Sequence, residues 1–467
     1  MSHRNSLRGY LRYTPIVLLL LALMVSATVV VPQGLAQSHE PPAGKLLIFV
    51  WGGPPDIESQ QAAFDRYMEL YPQVEIEMIH TQPECGADYA ACKTFIAGGA
   101  MADVFVPGSW NYNAMALDGV LEDLGPYIER DGLNLADFNP VAMDAVTSLS
   151  DGKIVGLPMG YNVQSLWYNK DMFDAAGLPY PPANGDYTWD DVREWAKELT
   201  LDKNGNNAES PDFDRNNIVQ WGFYDHFAWP WGNGYEPILF AYGGSSMTLP
   251  DRQTCNLEAP ESIEAWQFIQ DLMYEDYTTI TPDLNAEQVG FLRWVGGQVA
   301  IEGGSFDQAA LVQAQNPGLN YDIAAFPKGP AGNATVIQVH MWSIYSGSKN
   351  KELAWHLIKW LATDGACGNY VGGEMGSIMT LIPAYKDLAQ GECFVQAPWS
   401  PEHTKEAQLD PTAWPLTTYP SMYNQKTDQI QGQDGFGGVI SDILNNKKSA
   451  ADALKGICKQ VDEVMKQ

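Results

Sequence analysis

A continuous apolar run, "KLLIFVW" from Lys45 to Trp51, constrains the fold of this chain more than any other feature. A run without polar alternation is a strand buried on both faces, and such strands need helices on either side. Asp56 then caps a segment in which Ile57, Phe64, Tyr67, Met68 and Tyr71 recur at helical spacing. "VEIEMI" (Val74 to Ile79) alternates as a strand, and "DVFV" (Asp103 to Val106) supplies another. Strand, helix, strand at short intervals predicts an α/β lobe with a largely parallel sheet. Further on, "YTWDDVREWAKELT" opens with a capping box, Thr188 with Asp191, and turns Trp189, Val192, Trp195 and Leu199 inward. "ESIEAWQFIQDLM" and "KELAWHLIKWLA" are amphipathic helices, the second with Leu353, Ala354, Leu357, Ile358 and Leu361 on its inner face. Trp189, Trp195, Trp266, Trp294, Trp355 and Trp360 fall in these patterns and belong to cores. Nothing repeats at 20 to 50 residues, which excludes a solenoid.

The N-terminus reads as an export signal. Arg4, Arg8 and Arg12 precede an uncharged run from Pro15 to Val31, and small residues at Gly34 and Ala36 come after it. A retained signal anchor is the alternative, since the run sits at the short edge of a membrane span. Removing residues 1–36 takes away three arginines and no acid, so the formal charge moves from −30 to −33. Such an acidic surface repels phosphate backbones and anionic lipid, which argues against nucleic-acid or membrane-surface binding. Some 430 remaining residues exceed one ordinary core and predict two or three lobes. The six cysteines, 85, 92, 255, 367, 393 and 458, form no C-x-x-C pair and have no histidine at zinc spacing. In an exported chain they read as structural disulfides. Cys85 with Cys92 makes a local loop, Cys367 with Cys393 is a second pairing, and Cys255 with Cys458 remains by elimination.

The motifs of common catalysts are missing: no G-x-S-x-G elbow, no H-E-x-x-H, no Walker loop and no complete G-x-G-x-x-G. A glycosidase's two carboxylates carry no fixed spacing, so that chemistry stays open. In "LDKNGNNAESPDFDRNN", Asp202, Asn204 and Asn206, then Asp212, Asp214 and Asn216, offer hard oxygens suited to calcium. The glycine and bidentate glutamate of a calcium loop are absent, which favours a solvated Asn/Asp turn and no cofactor.

The segment "DGKIVGLPMGYNVQSLWYNKDMFDAAGLPYPPANGDYTWDDVREWAKELT" carries a family likeness. It resembles the extracellular solute-binding proteins of ABC importers, in the sugar-binding, maltose-binding-like group. The matching residues are Asp151 to Lys153, Leu157 and Pro158, Tyr168 to Asp171, Ala176 to Leu178, Pro181 and Pro182, and Thr188 to Asp190. "ADVF" at 102–105, "GQVAIEGGSF" at 297–306 and "SKNKELAWHLIKWLA" from Ser348 stand in the family's order. The lipobox cysteine of many relatives is missing, and Phe306 stands where the family often has tryptophan. The resemblance implies a two-lobed, type II periplasmic-binding-protein-like α/β fold with a ligand cleft. Crossovers are expected near 158–162, 324–328 and 364–372. Residues 45–159 with 326–366 would form the N-terminal lobe, and 160–325 with 367–467 the C-terminal lobe, after a linker at 37–44. The implied role is that of a monomeric, non-enzymatic capture subunit, periplasmic or extracellular, that hands a carbohydrate to an ABC permease.

"FAWPWGNGYE" (227–236) is the stretch where chemistry and resemblance meet. A pyranose has nearly apolar C–H faces and a rim of hydroxyls, so flat rings cover the faces while amides and carboxylates satisfy the rim. Rings held in a Pro/Gly turn lose little entropy on binding. Trp229 and Trp231 are therefore read as sugar platforms. The family positions add Trp51, Asp56, Trp110, Asn111, Tyr161, Asn162, Gln164, Phe306, His340 and Trp342. For each of these the competing reading is core packing or hinge filling. A secreted glycoside hydrolase, or the same fold holding a polyamine, are the alternatives.

Overall fold

The computed structural model describes residues 40–50, 54–81, 84–86, 88–228, 232–249, 252–305, 307–365, 381–397, 399–414, 429–430 and 435–466. The export signal at 1–36 therefore lies outside the described residues. Among the described residues twelve strands are formed: β1 (Gly44–Val50), β2 (Val74–His80), β3 (Val104–Phe105), β4 (Leu157–Val163), β5 (Ser165–Asn169), β6 (Leu201–Asp202), β7 (Ile218–Tyr224), β8 (Val299–Gly304), β9 (Tyr321–Ala324), β10 (Lys328–Gly329), β11 (Gly332–Asn333) and β12 (Ile337–Ile344). They make two five-stranded sheets, ordered β2-β1-β3-β12-β4 and β6-β7-β8-β5-β9, and the small ribbon β10-β11.

The apolar run behaves as its composition demands. Leu46, Ile48, Phe49 and Val50 of β1 are all buried, with β2 and β3 parallel on its two sides. The helix Pro54–Leu70 comes at once after it, so Asp56 lies inside its first turn rather than capping it. Phe64 and Tyr67 seal its inner face. The first sheet is largely parallel in direction, as expected, with β2, β1, β3 and β4 running one way and β12 antiparallel to both β3 and β4. In the second sheet only β7 and β8 are parallel. The reason for the reversed β12 is connectivity, because it enters the first sheet from the second and arrives in the opposite direction.

The helix Trp189–Leu199 starts from the capping box of Thr188 and Asp191 and buries Trp189, Val192, Ala196 and Leu199, while Trp195 is only half-buried. The helix Lys351–Ala362 is wedged against β1, β4 and β12 and buries Trp355, His356 and Trp360 besides its expected aliphatic stripe. Two of the polar tips have partners: the Tyr67 hydroxyl sits 2.7 Å from His356 Nδ1, and Trp355 Nε1 donates to Asp131 at 2.8 Å. Without such partners a buried imidazole or indole N–H would cost the full desolvation of its polar atom.

The chain passes between the sheets at Gln164, between β4 and β5, and returns through residues 325–336, between β9 and β12. The two passages are bonded to one another: Gln164 N–H donates to Val336 O at 3.1 Å and Thr335 Oγ1 to Gln164 O at 2.6 Å. The first crossing thus falls just past the expected 158–162, which is the body of β4. Most of the third expected crossing, 366–372, lies outside the described residues. Residues 381–397, expected with the second lobe, lie on the first sheet. The cause is the open edge of β4: Tyr161 and Ile382 exchange N–H···O bonds of 3.0 and 2.8 Å, capping backbone groups that an edge strand would leave unpaired. Helices from Phe436 onward return to the second core. Cys85 is bonded to Cys92 and Cys255 to Cys458. Cys393 is also disulfide-bonded, and Cys367 lies outside the described residues.

Candidate functional site

Three strands of the first sheet, β3, β4 and β12, position the candidate site. β3 runs into the loop 107–111, which holds Trp110. Gly108 N–H and Asn111 Nδ2 both donate to Gly86 O, at 2.9 and 3.1 Å. Gly86 lies inside the loop closed by the Cys85–Cys92 bond. Ser109 Oγ donates to Val339 O at 2.7 Å, tying the same loop to β12. A Cβ at Gly108 would meet the Trp110 ring at 2.8 Å, so only glycine leaves that indole its position. Asn111 is thus a positioning group with its amide engaged, and Trp110, half-buried, is the ring it helps hold.

β4 and β12 pair with Asn162 opposite Gln338 and Gly160 opposite His340. Directly paired residues and those two apart share a face, so Asn162 and His340 lie on one side of the sheet. Tyr161 lies on the other side, buried, with Asn139 Nδ2 donating to its hydroxyl at 3.4 Å. Trp342 is likewise in the core, edge-on to Phe64 at 5.8 Å. Both rings chosen from the sequence as ligand contacts are therefore part of the packing beneath the site. His340 is half-buried, and burial lowers its pKa to about 4, so it is neutral at neutral pH. Asn162 Oδ1 and Gln164 Oε1 are buried and accept no hydrogen bond among the described residues.

The second sheet brings acids that the motif search passed over. Asp225 directly succeeds β7, and Glu302 lies opposite Tyr224 on the parallel neighbour β8. Both are buried. Asp225 Oδ1 accepts the N–H of His226 at 2.6 Å, while its Oδ2 has no hydrogen-bond partner among the described residues. Burial pushes the Asp225 carboxyl up to about 8 and lowers His226 to about 4. His226 Nε2 stands 3.7 Å from Glu302 Oε1. Glu236 is fully buried and is pushed up to about 7 by desolvation, against the opposing hydrogen bonds from Ser246. A lone acid ending an apolar strand, as in "WGFYD" or "VAIE", was the available signal.

The ends of the 225–236 loop lie against each other. A Cβ on Gly234 would come within 2.7 Å of the His226 carbonyl carbon and 2.8 Å of Asp225 Oδ1. Gly232, at φ 92°, takes a conformation other residues avoid. Trp229 and Trp231, between these ends, lie outside the described residues, as do Trp51, Phe306 and the side chain of Asp56. β5 links the halves, since Ser165, next to Gln164, pairs with Gly304 at the end of β8.

The calcium candidates are arranged for a different purpose. Asp202 Oδ1 accepts the N–H groups of Asn204 and Asn206 at 2.7 and 3.0 Å, and Oδ2 accepts that of Asp214 at 2.9 Å. Desolvation opposes ionisation there, but these donors outweigh it and hold the carboxyl well below the usual range. Asp214 Oδ2 in turn accepts Asn217 Nδ2 at 2.8 Å. The oxygens face N–H donors, which makes this an Asx-type turn.

The family of bacterial extracellular solute-binding proteins matches residues 54–366. The chain belongs to that family. Among curated relatives, a binding protein of Brucella abortus is 26% identical over 274 residues, covering 57% of this chain and 60% of its own length. The match thus spans under two thirds of that relative. The maltotriose-binding protein of Pyrococcus abyssi is 26% identical over 363 residues, covering 75% of this chain and 70% of the relative. Two solved solute-binding structures share the fold. The ABC substrate-binding protein of Listeria monocytogenes in complex with cycloalternan aligns at a TM-score of 0.73 and 21% identity, over 90% of this chain and 99% of that one. Maltose-bound MalE3 of T. maritima aligns at 0.70 and 20%, over 90% and 100%. The fold is therefore the two-lobed, type II solute-binding architecture, with crossing strands beside the cleft. Among the described residues no helix is long and apolar enough to cross a membrane.

Proposed function

We propose that this solute-binding protein captures a carbohydrate, a mono- or oligosaccharide, between its two sheets and delivers it unchanged to an ABC permease. The observation that carries this reading is the pair of buried amide oxygens, Asn162 Oδ1 and Gln164 Oε1, which accept no hydrogen bond among the described residues at the strand crossing. Buried polar atoms without partners are rare and costly, and a hydroxyl-rich ligand supplies the donors they lack. Support also comes from relatives and fold neighbours named for maltotriose, maltose and cycloalternan. The ligand-facing set is Trp110, Asn162, Gln164 and His340, joined by Trp51, Asp56, Trp229, Trp231 and Phe306. Asn111, Tyr161 and Trp342 shape the wall behind them. The lobes divide between the two sheets, and the chain works outside the cytoplasm without chemistry of its own.

Isothermal calorimetry against maltose, maltotriose, larger maltodextrins and spermidine tests the proposal. One saturable site for a saccharide is the expected result. Trp229→Ala should then weaken binding by about 1 kcal/mol or more, the usual cost of a lost anchor ring. Heat from spermidine alone, or reducing ends released from a polysaccharide, would replace this reading with one of its alternatives.

A further inference from the structure

Away from the strand crossing, one cluster in the second sheet is built from metal-ligating side chains. Asp322 on β9, Glu402 and His403 each offer a ligand atom, and the three atoms lie within 4.8 Å of one another. Asp322 is almost fully buried, its side chain 3% exposed against 38% for His403, and its Oδ2 stands 2.7 Å from His403 Nδ1. Asp322 Oδ1 accepts its neighbour's amide, Ile323 N–H, at 2.9 Å. Tyr168 lies directly opposite Asp322 in the β5–β9 pairing. Glu402 is exposed, so one side of the cluster is open to solvent.

We propose that Asp322, Glu402 and His403 form a divalent-cation site of the zinc class. Two carboxylates held this close repel one another, and among the described residues neither is ion-paired with a lysine or arginine. A doubly charged ion removes that repulsion. One imidazole with two carboxylates is a donor set that suits zinc and its transition-metal neighbours better than calcium or magnesium, which take oxygen alone. Ligand atoms around a tetrahedral ion with bonds of about 2.0–2.1 Å stand roughly 3.3 Å apart, so small side-chain rotations bring these three into place. The exposed side leaves a fourth position for water. The ion would join β9 to the segment entering the short helix Lys405–Leu409, which packs against β5 and β9. It would therefore fasten a late stretch of the chain to the second sheet, and it does not depend on which solute the cleft holds.

The test uses the whole secreted chain, stripped with EDTA and dialysed, titrated calorimetrically with zinc chloride and followed by thermal melting. The expected result is one saturable zinc site and a raised melting temperature. His403→Ala should abolish both, and Glu402→Gln, at an exposed position that folding does not need, should weaken binding about tenfold or more. His80→Ala, which alters a separate surface pair with Glu84, should leave the isotherm unchanged. No saturable zinc heat in the parent chain, an isotherm unaltered by both His403→Ala and Glu402→Gln, or equal binding of calcium would overturn the assignment.

Discussion

Asp225 ends an apolar strand with its carboxylate buried, and the consequence shows in how stability responds to pH. Its folded pKa is raised to about 8 by burial, and that of Glu236 to about 7 by burial. A raised acid favours the folded state while protonated. Its contribution is fully present below the unfolded pKa and is lost as pH climbs through the folded value. His226 and His340 are shifted down to about 4 by burial, so their contribution is present at neutral pH and lost only as pH falls from about 6.5 toward 4. Between about pH 7.5 and 8.5 both imidazoles are almost wholly neutral, folded or unfolded, so these acids outweigh them. Denaturant melts over that range should show stability falling, at most about 1.4 kcal/mol per pH unit for each acid. Asp225→Asn should flatten the decline, and an unchanged slope would mean that Asp225 is solvated.

At the scale of elements, the edge of β4 decides how residues 381–397 are placed. Gly160 lets that segment approach: a Cβ there would meet Ile382 O and Leu381 Cβ, each at 2.9 Å. Gly160→Ala should therefore cost about 1–3 kcal/mol, the range for forcing atoms into a packed site, read by chemical denaturation. A neutral result would show that Leu381 and Ile382 do not rest on the strand. Other elements behaved as their residues foretold. Thr188 and Asp191 close the capping box, and β1 is buried on both faces. The helix Lys351–Ala362 went further than its pattern, because Tyr67 and Asp131 supply partners for polar tips that periodicity cannot count.

For the whole molecule, two sheets joined by strands that bond to each other at Gln164, Thr335 and Val336 make a natural hinge. Closure of two lobes around a solute is the motion known for periplasmic binding proteins. Small-angle scattering should register it, with the radius of gyration shrinking on addition of the bound saccharide toward about 22 Å, the value for a compact chain of some 430 residues. An identical scattering curve with saturating ligand would rule out closure on binding.

The sequence by itself determined the α/β class and the family, because strand and helix periods and the ordered run from Asp151 to Asp190 are local properties of the chain. It also offered Trp110, Asn162, Gln164 and His340 as candidates, and the fold draws these around the β4–β12 pair. Tertiary structure alone decided which side of the sheet each residue occupies. Tyr161 and Asn162 are adjacent in sequence, yet strand alternation sends one into the core and the other to the opposite face. It also decided the direction of β12 and the company of Asp225 and of Asp322. A carboxylate's partners come from strands and loops far along the chain, so its environment cannot be read from its neighbours in sequence.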